Sequence, residues 1–439
     1  MPNTSPLGEL IRQAYEARGW GPTKLARELG IAEGRGPDGL DRQSVRRWVA
    51  GGRTPKYWLP YLIGVLDLDP VLLAAAQCAG SETAPADTVA SVVELGRSDV
   101  LRRNFLAASS AYALSALGLP DPEGMQRRVN RAGAVRVGTG EVDAVRAMTK
   151  GLGDAAAELG GGHARHLVVR YLTEDVARWL NGTYNETTGR ALYSATSQLV
   201  HLAGWMAQDE GNQGMAQQYY GHAHALAAEA GDPESSATAL RGLAVQAIDL
   251  GPKFAAVALR LSERCVQEAR TIDDPRAVSY YQTTLADAAA LDGDRRTAGL
   301  ALAASQTAIE RDPGRPPGES WASHFSIGRW AHHSGRILAR LGDLDSAVEH
   351  LEQALDIHGL DRRRSRAIVL ADLGKVRLRQ GDLDEALATW TEFLDCADGV
   401  RSVKIGEAAE DMSARLDRYR GVAEADALVR RAEHRVARG

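Results

Sequence analysis

An all-α protein with more than one folding unit is what this sequence predicts, and three observations carry that expectation. Alanine recurs throughout while aromatic residues make up only 5% of the chain, a balance that favours close-packed helices over the β-branched and aromatic faces of a sandwich or barrel. At 439 residues, with 44% apolar and 25% charged residues, the chain has globular composition and two to three times the length of a domain of about 100 to 200 residues. A Gly-x4-Ala spacing also returns along its second half, the mark of a repeat array.

The first element spans residues 7–18, where Leu7, Leu10, Ile11 and Tyr15 share a helical face behind a Ser5-Pro6 start. Gly19 to Pro22 interrupts it. Residues 23–30 (TKLARELG) follow as a short second helix with Leu25, Ala26 and Leu29 inward and Gly30 as its terminator. A Gly-rich stretch, residues 31–40, leads to Asp41, placed to cap a third helix (RQSVRRWVAGG) that turns Val45, Trp48 and Val49 inward. Residues 57–76 supply apolar material for a fourth and fifth helix. Residues 1–80 therefore read as one small domain, residues 81–97, polar and Pro-containing, as a linker, and residues 98–439 as a second, larger helical domain.

Charge is uneven between them. The net charge is −5, yet residues 1–80 carry ten Lys/Arg against eight Asp/Glu, and Arg42, Arg46, Arg47, Arg53 and Lys56 occur without an intervening acid. Such a local basic run is the electrostatic footprint that phosphate binding needs. The exposed face of the third helix reads Arg42, Gln43, Ser44, Arg46 and Arg47, and a helix fits the DNA major groove, where Arg pairs with guanine and Gln with adenine. Thr23, Lys24, Arg53 and Lys56 lie at the ends of neighbouring elements, where contacts to the phosphate backbone originate.

KLARELG, SVRRW and GGRTP followed by an apolar helix resemble the XRE-type (phage-repressor-like) helix-turn-helix family over residues 7 to 77. The resemblance implies a double-stranded DNA operator as partner and a homodimer that meets two half-sites. The Gly-rich connection at 31–40 is longer than that family's turn.

In the second domain the Gly-x4-Ala pattern occurs at Gly211, Gly251, Gly293, Gly342 and Gly381, with intervals of 40, 42, 49 and 39 residues, and a small residue stands seven positions before each: Gly204, Ala244, Ala286, Gly335 and Gly374. This predicts helix pairs: the small residue lets two helices approach, the glycine turns the chain, and the alanine packs in the return helix. Residues 365–394, with Leu373-Gly374, QGDLDEA and Trp390, and residues 336–355 resemble the tetratricopeptide repeat, although the intervals exceed that family's 34 and Arg260 stands where an aromatic is expected. Stacked pairs create a concave surface lined by first helices. Counting six, ten and thirteen residues back from the glycines selects His201, Trp205, Arg241, Thr283, Asp287, Arg329, His332, Arg336 and Lys375 as its lining, an apolar and mostly basic set suited to a peptide or an acidic small molecule.

Nothing in the sequence argues for catalysis, a cofactor or a metal: phosphate-loop, nucleophile-elbow and His-Glu-x-x-His motifs are absent, and the histidines lack ligands at a recognised spacing. Three scattered cysteines and no stretch of roughly 18 apolar residues point to a reducing cytoplasm and no membrane. Arg102-Arg103 before an apolar run looks like a twin-arginine export signal, but it follows a whole domain and reads as part of a joining helix. The expectation is a sequence-specific transcriptional regulator whose repeat domain dimerises and binds a peptide or small-molecule effector; the alternative is a protein-interaction scaffold.

Overall fold

The computed structural model describes residues 6–51, 55, 58–66, 68, 88–108, 135–314, 316–318, 320–357, 363–400 and 402–436. Among these residues all regular structure is helical, and Arg136 and Thr183 form an isolated bridge. Arg53, Lys56, the expected fifth helix and residues 81–87 of the expected linker lie outside the described residues.

Four helices make the amino-terminal bundle: α1 (Pro6–Ala17), α2 (Pro22–Glu33), α3 (Arg42–Val49) and α4 (Leu59–Leu66). Their buried faces follow the helical period, with Ile11, Leu25, Leu29, Val45 and Leu62 fully enclosed and Trp48 in the same core. Gly30 is not the terminator of α2. It is a buried interior residue, and the chain turns instead at Gly34, whose φ of 90° is the left-handed cap. Packing explains the glycine at 30, since a Cβ there would stand 2.4 Å from the Gly36 carbonyl oxygen as the connection to α3 folds back over α2. Asp41 does occupy the N-cap position of α3, but its carboxylate makes no capping hydrogen bond.

Residues 88–97 are not linker. They form the first half of α5 (Thr88–Ala108), which buries Val89, Val92 and Val93. Farther along the same helix Asp99 is buried too, accepting hydrogen bonds from Arg165 and, at 2.9 Å, from the Tyr219 hydroxyl. Three valines at helical spacing were masked by the polar, Pro-containing composition around them. Next come α6 (Thr139–Leu159) and α7 (Gly161–Tyr171), the latter running through a π-turn at Leu172–Val176 into α8 (Ala177–Leu180).

The array then proceeds as antiparallel pairs: α9 (Glu186–Asp209) with α10 (Gln213–Ala230), α11 (Pro233–Asp249) with α12 (Ala255–Glu268), α13 (Pro275–Asp292) with α14 (Arg295–Glu310), α15 (Ile327–Leu341) with α16 (Leu344–Ile357), α17 (Arg363–Gln380) with α18 (Leu383–Ala397), and α19 (Val403–Leu416) with α20 (Ala423–Val436). The glycine register holds. Gly211, Gly251, Gly293, Gly342 and Gly381 all have φ between 78° and 94°, a conformation that costs a residue with a Cβ and costs glycine nothing. The five small residues seven positions earlier are all buried. Of the five return-helix alanines, Ala216, Ala298, Ala347 and Ala386 are fully enclosed, but Ala256 is exposed. There a 3-10 turn, Pro252–Phe254, delays the helix start, so that Ala255 and Ala258 face the core in its place and Arg260 needs no aromatic's pocket.

The interval of 49 residues also has a structural cause. The connection from α14 to α15 is long, and it folds Trp321 and Phe325 onto the inner face of the array. Its base is tied by Arg276, which donates to Asp312 at 2.6 Å and to the Ser323 carbonyl at 3.3 Å. At the far end the array returns to its first two pairs: Arg364 is ion-paired with Asp209, the Ser402 hydroxyl donates to Asp209 at 2.8 Å, and Lys404 pairs with Asp249 at 2.8 Å. These contacts hold the starts of α17 and α19 against the ends of α9 and α11.

Candidate functional sites

Two surfaces collect the residues singled out by sequence. The first is the outer face of α3. With Val45 and Trp48 committed to the core, the helical period forces Arg42, Gln43, Arg46 and Arg47 outward, and all four are exposed, with Ser44 half-buried beside them. Arg47 donates to the Ser44 hydroxyl at 3.2 Å, and none of Arg42, Arg46 and Arg47 is ion-paired with a carboxylate among the described residues. Thr23 and Lys24 are exposed at the start of α2, the Lys24 ammonium 5.1 Å from the Trp20 ring. Three cations on two helical turns without an acid among them make a surface that attracts anions.

The second is the concave inner face, where the nine selected residues divide. Trp205 (α9) and the Trp321 ring lie 6.3 Å apart, with the Arg364 guanidinium 5.1 Å above the Trp205 ring. His201 is buried between the rings of Tyr220 and Trp321. Burial, with the Arg241 charge adding to it, pushes its imidazole down to about 3, so His201 is neutral and is a packing residue rather than a cationic partner for an acid. Arg241 (α11) stacks on Tyr280, its guanidinium carbon 3.7 Å from the ring centroid, with no carboxylate partner among the described residues. Tyr280 in turn accepts from the Trp321 indole at 3.0 Å.

Thr283 does not line the concavity. It is buried against α14, its hydroxyl donating to the Ser279 carbonyl at 2.7 Å and lying 2.5 Å from that of Ser305. Alanine-rich pairs approach so closely that the position ten residues before the turn is enclosed there. Arg329 sits in the first turn of α15, where its backbone N–H donates to Ser326, apart from the pocket described next.

Asp287, His332, Arg336 and Lys375 are brought to one end of the concavity. Arg336 and Lys375, with six residues that counting did not select, Ala339, Arg340, Leu351, Asp372, Val376 and Arg379, line a pocket of about 280 Å³ between α15 and α17. Asp372 accepts from His332 at 3.0 Å and lies 3.7 Å from Arg336, while Arg340 is 3.4 Å from Asp287 and Lys375 is 3.7 Å from Asp411. Burial opposes ionisation of Asp372, but the His332 hydrogen bond and the charges of Arg336 and Lys375 outweigh it and hold the carboxyl down at about 2. Arg336 is likewise kept charged, with Asp287, Asp372 and Asp249 outweighing the cost of its burial. Arg340 and Arg379 both stand two residues before a turn glycine, the one sequence signal that would have found them.

No helix among the described residues is long and apolar enough to cross a membrane. Residues 326–396, which cover α15 to α18, match the family model of the tetratricopeptide repeat. No curated protein matches the chain.

Proposed function

We propose that this chain, a helical-repeat protein with a tetratricopeptide segment, is a non-enzymatic cytoplasmic regulator of transcription. Its amino-terminal bundle reads an operator with α3, and its repeat half senses an effector and joins two copies. The observation that carries the reading is the α3 surface, in which Arg42, Gln43, Arg46 and Arg47 face solvent from a helix whose opposite side is anchored by Val45 and Trp48. A short helix presenting Arg and Gln side chains suits base-edge contacts in the major groove, while Thr23 and Lys24 suit phosphate contacts that set the pose. Paired copies would place two such helices on two half-sites.

Selection of bound duplexes from a random library by the full chain tests this. A recovered two-half-site sequence, bound with a salt-dependent affinity, is the expected result. Recovery of no preferred sequence would overturn it in favour of a second reading, a protein-interaction scaffold. The tetratricopeptide match favours that second reading, because such repeats generally mediate binding of protein partners, and an undiminished capture of partners by a chain lacking residues 1–80 would mark it.

A further inference from the structure

The inner face does not offer one continuous groove. Trp321, carried in by the long α14–α15 connection, fills the end formed by α9, α11 and α13, where it packs on His201 and Trp205 and donates to Tyr280. An extended peptide cannot lie along that stretch while the indole is in place. What stays open is the compartment between α15 and α17, and its chemistry is one-sided: Arg336, Arg340, Lys375 and Arg379 line it against a single carboxylate, Asp372. Asp287 and Asp411 approach from α13 and α19, and the Asp249 charge also acts on Arg336 from α11, so the excess of positive charge belongs to the residues that line the pocket. The ion pairs of Arg336, Arg340 and Lys375 measure 3.7, 3.4 and 3.7 Å, longer than charge-assisted hydrogen bonds of about 2.7 to 2.9 Å, which leaves donors uncommitted. Leu351, Ala339 and Val376 contribute apolar side chains to the lining, and Arg379 spends one donor on the Ala339 carbonyl at 2.8 Å, leaving the rest of its guanidinium for a ligand.

We infer that this compartment is a binding site for a small polyanion, a molecule carrying two or more phosphate or carboxylate groups, with Arg336, Arg340, Lys375 and Arg379 as its ligands. A volume of about 280 Å³ falls just short of the usual range of ligand pockets, about 300 to 1,000 Å³, and suits a compact molecule rather than a chain segment. Two anionic groups would match the two pairs of cations, Arg336 and Arg340 on α15 and Lys375 and Arg379 on α17. Spanning them would fix the spacing of α15 and α17, the element through which a bound molecule could bias the array. The inference rests on the sensor reading above for its biological role, but not for its chemistry.

Calorimetric titration of the full chain, without DNA, tests it with sodium pyrophosphate in one arm and citrate in the other, ionic strength being balanced with sodium chloride. Saturable binding of at least one, at one molecule per chain, is expected; pyrophosphate alone would mark a phosphate ligand and citrate alone a polycarboxylate. Arg340→Gln with Lys375→Gln should weaken binding at least tenfold, and Arg420→Gln, an exposed cation outside the pocket, should leave it unchanged. Circular dichroism checks that the double variant is folded, and the exposed Arg379→Gln alone, expected to weaken binding severalfold, serves if it is not. Absence of saturable heat with both probes, or equal binding by wild type and the pocket variants, would overturn the inference. Operator selection is read separately, so failure here leaves the DNA-binding reading standing, and the reverse also holds.

Discussion

Gly374 lies against the indole of Trp390 so closely that a Cβ at position 374 would stand 2.5 Å from the ring nitrogen. Trp390 is 1% exposed and its indole donates to the Ala371 carbonyl at 3.3 Å, so the ring cannot swing aside without losing that bond and its packing. The pair sets the approach of α17 to α18. Gly374→Leu should therefore lower stability by about 1 to 3 kcal/mol through overpacking, read as an earlier thermal or urea midpoint. An unchanged midpoint would show that the contact yields without cost.

Asp99 and Arg165 tie α5 to the array from inside. Both are buried, and Arg165 also donates to Glu210 at 2.7 Å. Asp99→Ala takes a buried acceptor from both Arg165 and Tyr219 but leaves Arg165 its Glu210 partner, so it should cost about 1 to 3 kcal/mol. Hydrogen exchange should show residues 88–108 losing protection first.

Trp321 closes one end of the concavity from a connection rather than from a helix. Trp321→Ala should remove its contacts with His201 and Trp205 and its hydrogen bond to Tyr280, at a cost of about 2 kcal/mol, below the roughly 3 to 5 of a fully buried Trp because this ring is only half-buried. A midpoint shift near zero would show that the connection contributes nothing to the array.

Acid sensitivity follows from the buried histidines. Burial lowers His201 to about 3 and His222 to about 4, and His333 is also depressed, by burial first and then by the charges of His332, Arg241, Arg336 and Lys404. An unfolded histidine titrates near 6.5, so between that value and the folded one the unfolded state holds more protons and stability falls as pH falls. At pH 5 the loss should be about 2 kcal/mol for each of His201 and His222, at about 1.4 kcal/mol per unit. Urea midpoints at pH 7.5 and pH 5 measure it; His201→Gln should flatten part of the slope.

On the α3 surface, the proposed function separates base readout from phosphate contact. Arg46→Ala or Gln43→Ala should cost about 1 to 3 kcal/mol on a selected operator and relax its specificity, whereas Lys24→Ala should weaken selected and random duplexes alike. Uniform losses for all three would reject that division.

The helical class, the inward faces of α1 to α3 and the turn glycines of the repeats were legible in sequence because each follows from a local rule. Backbone period decides which side of a helix is apolar, and a left-handed turn admits glycine whatever surrounds it. Gly374 and Gly335 were legible for the same reason, since a close approach excludes a Cβ. Local rules ended where a residue's role depended on a distant neighbour. Gly30 reads as a terminator until the α2–α3 connection is seen to cover it, and residues 88–97 read as linker until Arg165 is seen holding Asp99. Counting back from the glycines selected Arg336 and Lys375, which line one pocket, but it also selected Thr283 and His201, which are enclosed. It missed Arg340 and Arg379 because they stand one helical turn beyond Arg336 and Lys375, at a position the count did not include, and it missed Trp321 because a long connection, not a helix, carries that ring to the inner face. Sequence determined which residues turn and which faces are buried; only the tertiary structure, through the return of the last pairs onto the first, decided which charges meet and which half of the concavity remains open.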